Sequence, residues 1–136
     1  MQFPSPERLA IVGDIHANWP AFDAVLGAVA ATGIDAGIVI GDVVMRGAAP
    51  GRCIDRIVEL GWPAVAGNTD LRVVAEAPRP VTHRASSRVG SRSWTRRALN
   101  DAQAAFLAAL PLSCVVELGR FRVMAMHASP HDPALT

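Results

Sequence analysis

Leu9-Ala10-Ile11-Val12-Gly13-Asp14-Ile15-His16-Ala17-Asn18-Trp19 decides the fold: a short apolar run stops at a glycine and is followed at once by a carboxylate and an imidazole. Leu9 to Val12 has the length and β-branched content of a strand buried on both faces, as in a parallel sheet. Past Gly13, Asp14 and His16 can turn to one side of the sheet's carboxyl edge, where open α/β sheets place their ligands. An isolated Asp-x-His step also fits a buried helix cap beside a hydrogen-bonded histidine, so the rest of the chain must decide between metal and cap.

Outward from this stretch the same arrangement recurs. Asn18 to Ala31 carries Trp19, Phe22, Val25, Leu26 and Val29 at helical spacing, with Asn18 as N-cap, Pro20 in the first turn and Gly33 after the end. Ala36 to Ile40 is a second short strand and stops at Gly41-Asp42; Pro50 to Leu60 is an amphipathic helix closed by Gly61. Trp62 to Ala66 is a third strand, running into Gly67-Asn68-Thr69-Asp70. Alternating strands and helices imply a parallel sheet with right-handed crossovers, which sets the three strand ends side by side. Asp14, His16, Asp42 and Asn68 are therefore expected to converge.

From Pro78 to Arg97 the pattern dissolves into proline, serine, glycine and the arginines Arg79, Arg84, Arg88, Arg92, Arg96 and Arg97, and is read as a long loop. A solvated surface segment is the plainer reading; the alternative is that some of these arginines, or Arg46 nearer the site, contact a substrate phosphate. Asn100 and Gln103 form a capping box ahead of an apolar helix stopped by Pro111. Ser113 to Leu118 and Phe121 to Met126 are two strands joined at Gly119-Arg120, an antiparallel hairpin whose second strand ends at His127.

Composition limits the remaining options. A chain of 136 residues, 51% hydrophobic and 18% charged, suits a single globular domain spanning residues 1–136. A formal net charge of +1 provides no field for a stable nucleic-acid complex or for anionic lipid. Every basic residue is arginine, suited to bidentate phosphate contacts, and no lysine exists to act as a catalytic amine. Cys53 and Cys114 lie far apart outside any CxxC pattern and read as reduced, buried thiols, while the N-terminal stretch has no signal-peptide apolar region and no run is of membrane-spanning length. A cytoplasmic protein is expected.

Asp14, His16, Asp42, Asn68 and His127 thus form an ordered set of strand-end ligands. Mixed carboxylate and imidazole donors suit Mn, Fe, Zn or Co, and a carboxylate such as Asp42 can bridge two cations. In order and spacing, Asp14-x-His16, Gly41-Asp42-x4-Gly47, Gly67-Asn68-x-Asp70 and His127 resemble the blocks of the calcineurin-like metallophosphoesterases. The likeness is greatest to their small bacterial phosphodiesterase branch, through GDIHANWPAFDAVL and MHASPHDP, and runs from Leu9 to Pro133. It implies a four-layer α/β sandwich with a dinuclear site, Asp14, His16 and Asp42 holding one divalent cation and Asp42, Asn68 and His127 the other. It further implies attack on phosphorus by metal-bound hydroxide; hydrolysis of phosphodiesters or phosphoanhydrides of a small molecule or nucleotide is expected, with Asn68 and Asp70 as expected catalytic residues and Arg46 as an expected substrate contact.

Two departures from that pattern shape the expectations. Thr69 stands where the fullest form of the family has a histidine that assists the leaving group, which favours diesters or substrates with good leaving groups. The family's closing Gly-His-x-His block has no counterpart here, so the domain is expected to be C-terminally truncated, each cation to be one ligand short, and His131 to be a surface-loop residue. A sheet edge left open around Phe121 to Met126 predicts a homodimer. The competing expectation is a degenerate binding or scaffold protein, or a truncated form of a longer enzyme.

Overall fold

Short β-branched runs pair in parallel and carry the loops that matter. In the computed structural model, which describes residues 5–77 and 88–132, β1 (Ala10–Val12) pairs with β2 (Gly37–Val39), Ile11 opposite Ile38. Residues 1–4, 78–87 and 133–136 lie outside the described residues, and with them Arg79 and Arg84 of the expected loop, Pro133 of the last block, and the first residues of the N-terminal stretch. The third strand expected over Trp62–Ala66 is in place but shortened to a parallel bridge between Val39 and Ala64. Val39 donates to the Pro63 carbonyl and Val65 to the Val39 carbonyl, whereas Pro63 has no N–H to give and Ala66 turns its own toward Pro111.

The expectation of burial on both faces fails for β1. Ile11 is 61% exposed while its partner Ile38 is fully buried. Among the described residues β1 pairs with β2 alone, so it is an edge strand with one uncovered face.

The helices begin and end where their caps dictate. Asn18 Oδ1 accepts from Ala21 N–H to start α1 (Trp19–Ala31), with Pro20 in its first turn. Phe22 and Leu26, one turn apart, form its buried seam; Val25, rotated off that seam, is exposed. Pro50 opens α2 (Pro50–Leu60) and Gly61 in the left-handed region closes it, its N–H returning to Ile57 and Val58. α3 (Asn68–Ala75) starts directly at the third ligand block.

The arginine-rich stretch is not a loop throughout. Arg92–Ala98 forms α4, initiated by the Ser91 hydroxyl accepting from Trp94 N–H. Glu76, buried at the end of α3, pairs with Arg92 and accepts from the Ser93 hydroxyl at 2.7 Å, which docks the new helix. Tertiary pairing therefore overrides the weak local pattern. α5 (Asp101–Ala109) has the expected capping box, Asn100 and Gln103 bonding reciprocally at 2.8 and 3.0 Å. The Gln103 amide also donates to Asp55 at 3.0 Å, tying α5 to α2.

β3 (Ser113–Leu118) and β4 (Phe121–Met126) form the expected antiparallel hairpin, with Leu118 opposite Phe121 at the turn. It is a separate two-stranded sheet, and the chain is a mixed α/β protein. One core cluster unites Ile15, Phe22, Leu26, Val39, Val43, Val44, Ile54, Ile57, Val73 and Leu107 with Cys53. Burial pushes the Cys53 thiol up to about 11, consistent with its reading as a small buried hydrophobe. Among the described residues no helix is long and apolar enough to cross a membrane.

Thr95 is fully buried on α4, and its hydroxyl has no hydrogen-bond partner among the described residues. Replacing a buried unpaired hydroxyl by an apolar group of the same shape removes a desolvation cost. Thr95→Val is expected to raise stability by about 1 kcal/mol or leave it unchanged; a lowered urea midpoint would contradict this.

Candidate functional site

Beyond the last paired residues of β1 and β2, the two following loops keep hydrogen-bonding to one another. Asp14 N–H donates to Gly41 at 3.1 Å, His16 to Asp42 at 2.9 Å and Ala17 to Val43 at 2.8 Å; Gly47 and Ala49 then donate back to His16 and Ala17. Both loops pay for this register in backbone strain. Asp14, His16, Ala17, Asp42, Met45 and Arg46 all have φ between 50° and 73°, and they are the non-glycine residues with positive φ among those described.

The third ligand block is drawn in by two buried carboxylates. Asp42 accepts from Thr69 N–H at 3.0 Å. Asp70, with no exposed surface, accepts from Val43 and Val44 through Oδ1, at 2.9 and 3.1 Å, and from Gly67 through Oδ2 at 2.9 Å. Glycine is required where these loops touch. A Cβ at Gly41, whose φ is +90°, would lie 2.7 Å from Gly67 N and 2.8 Å from His127 Nδ1, and a Cβ at Gly67 would overlap the Asp42 carboxylate.

The expected ligands converge on Asp42. His16 Nε2 lies 3.5 Å from both Asp14 Oδ1 and Asp42 Oδ2, and His127 Nε2 lies 3.5 Å from Asp42 Oδ1. Asp14, Asp42 and His127 each offer an atom within 4.8 Å of the others. The Asn68 amide lies against the same carboxylate. As placed, its oxygen faces the Asp42 oxygens; turned over, its nitrogen donates to them at 3.1 and 3.3 Å. Asp70 does not join the cluster, because both its oxygens point to backbone N–H groups. His131 is exposed, in a turn where Ser129 and Asp132 bond to each other, and does not reach the cluster.

The donor set fits a divalent cation. His127 Nδ1 is 2.8 Å from the Ile40 carbonyl, the bond that fixes a proton there and leaves the Nε2 lone pair toward Asp42, as in ligating histidines generally. An amide oxygen set against two carboxylate oxygens needs a positive charge between them, or else must turn over. Among the described residues no arginine side chain pairs with Asp42, whose nearest titratable neighbours are the His16 and His127 imidazoles, each at 3.5 Å. His16 differs from His127: its Nδ1 is buried with no partner among the described residues.

Beside the cluster opens a cleft of about 510 Å³, lined by Asp14, His16, Trp19, Arg46 and Gly47–Ala49 among others. Arg46 is thus beside the ligands, as expected. Its backbone is held by a residue that sequence reasoning did not single out: Arg46 N–H donates to the Gly90 carbonyl at 2.8 Å. A glycine in a featureless stretch carries no signal of such a contact. The arginines of that stretch do not line this cleft among the described residues; Arg92 is engaged by Glu76, and Arg96 borders a small pocket with Val73, Leu99 and Leu107.

Residues 7–133 match the family model of the calcineurin-like phosphoesterases. The chain belongs to that family. It is 29% identical over 127 residues to the uncharacterized protein MJ0912 of Methanocaldococcus jannaschii, covering 93% of this chain and 51% of that protein. It superposes on a metallophosphoesterase from Sphaerobacter thermophilus with a TM-score of 0.79 and 27% identity, over 96% of this chain and 51% of the other. The hypothetical protein PH1004 of Pyrococcus horikoshii shares the fold, with a TM-score of 0.78, 19% identity, and coverage of 93% and 56%. The chain therefore spans about half the length of these relatives, and its α/β fold is that of the metallophosphoesterases.

Behind this cluster, burial raises the Asp70 carboxyl to about 6, opposed by its bonds from Gly67, Val44 and Val43. Asp70→Asn keeps one oxygen for Val43 and Val44 but sets an amide N–H against the Gly67 N–H in a buried space. The substitution is expected to cost about 1–3 kcal/mol of stability, measured by urea denaturation with EDTA present. An unchanged midpoint would show that the three bonds do not hold the loops together.

Proposed function

We propose that the chain is a divalent-metal-dependent phosphoesterase acting on phosphodiesters or phosphoanhydrides, including those of nucleotides. The convergence of Asp14, His16, Asn68 and His127 on the buried Asp42 carboxylate supports this reading most directly. Asp14, His16 and Asp42 would hold one cation and Asp42, Asn68 and His127 a second, drawn from Mn, Fe, Zn or Co. Such ions supply Lewis acidity to a phosphoryl group and lower the pKa of water.

The chain's own residues do the rest. Asp42, locked by Thr69 N–H and by the loops around it, presents an oxygen toward each histidine. Asn68 orients against it, and Arg46 supplies a positive charge to a phosphate in the adjoining cleft. Asp70 acts as a positioning residue, holding the Asp42 and Asn68 loops together, rather than touching substrate. Thr69 is buried and bonded through its N–H to Asp42, so no proton reaches the leaving group from that position. Esters whose leaving oxygen needs little protonation are the better substrates.

A cytoplasmic setting accords with two free cysteines. A homodimer accords with strand β4, where Phe121 and Met124 are 59% and 60% exposed. Sedimentation across a wide concentration range is expected to give a dimer; a monomer throughout removes that partner.

The scaffold reading makes the opposite forecast for catalysis. Mn-dependent hydrolysis of bis(p-nitrophenyl) phosphate is expected, with Asp42→Asn lowering it on the order of a hundredfold or more, since even residues behind metal ligands cost 10–100-fold. Equal, metal-independent rates in both proteins would favour the scaffold.

A further inference from the structure

The cleft lining includes a chemistry that metal binding does not use. Trp19, the first residue of α1, lines the same cleft as Asp14 and His16. Its indole is fixed from two sides. The Arg52 guanidinium lies over the ring at 4.1 Å from the centroid, and Phe22 meets it edge-on at 6.3 Å and 88°. Arg46 lines the same cleft, where Pro20, Ala48 and Ala49 are apolar neighbours and Asn18 a polar, uncharged one. A rigid indole, an arginine and small apolar residues, set next to a cation-binding carboxylate cluster, match a ligand with a flat aromatic part and a phosphate. A volume of about 510 Å³ lies within the usual range for small-molecule pockets.

We infer that this cleft is the pocket for the organic part of the substrate, with Trp19 stacking on a nucleobase and so selecting nucleotide phosphoesters over sugar or aliphatic ones. The inference rests on the phosphoester reading and names the substrate class of that same site. Stacking suits this role because every base has a π-face, so the pocket distinguishes nucleotides from other phosphates without choosing among bases. Trp19 is a specificity residue here, and the phosphate end remains with the ligand cluster and Arg46.

AMP and ribose 5-phosphate differ only by the base, and their binding to the full chain with Mn present separates the two parts of the site. Titration calorimetry is expected to show AMP binding at least about fivefold more tightly, the lower end of what base–aromatic stacking contributes. Trp19→Leu is expected to abolish that difference and Trp19→Phe to retain part of it. Should the leucine variant fail to fold, quenching of the Trp19 indole by AMP but not by ribose 5-phosphate, read in a Trp62→Phe, Trp94→Phe background, serves in its place. Equal affinity for the two ligands in the wild type, or a preference unaltered in Trp19→Leu, overturns the base pocket alone. Failure of both ligands to bind overturns it together with the phosphoester reading.

Discussion

The structure depends on one buried carboxylate. Asp42 is nearly inaccessible, two imidazoles lie 3.5 Å from it, and its remaining partners among the described residues are backbone or amide groups from a different strand end. An ionised carboxylate in such a place is costly unless positive charge is supplied. Every neighbouring feature accommodates it: Gly41 and Gly67 clear the space around it, His127 is oriented by Ile40, and Asp14 stands partly in solvent, 71% exposed, at the open side. The arrangement fits a bound cation, which would supply that charge.

Holding the loops in that arrangement has a conformational cost. Backbones in the left-handed region cost non-glycine residues about 1–3 kcal/mol each, and here such residues lie in the two loops that follow β1 and β2. The compensation is visible. The hydrogen bonds between the loops extend the parallel pairing past its strands, and Asp70 fastens the third loop from behind. The strain is thus concentrated where precise placement of side chains matters, and the core formed by α1, α2 and α5 on the sheet supports it.

Much of this was legible in the order of residues. The Asn18, Gly61 and Asn100 caps set helix limits through local hydrogen bonds, and the alternation in Ser113–Met126 with its Gly119 turn specified the hairpin register. Local chemistry of this kind needs no distant partner. The failures have the opposite character. Ile11 looked buried because an apolar run says nothing about whether its sheet continues, and α4 was missed because the Glu76 pairing that docks it lies outside its own sequence window.

The site divides in the same way. The sequence by itself determined which side chains end the strands, and hence that Asp14, His16, Asp42 and Asn68 gather, because parallel pairing brings successive strand ends to one edge, whereas His127 follows a strand of the separate hairpin and is held there by its contact with Ile40. Only the tertiary structure decided what each one does there. It turned Asp70 inward onto three backbone N–H groups, set Arg46 on the Gly90 carbonyl, and placed Trp19 in a cleft that Asp14 and His16 also line. Those outcomes depend on side-chain direction and on contacts between segments far apart in the chain, which spacing alone does not encode.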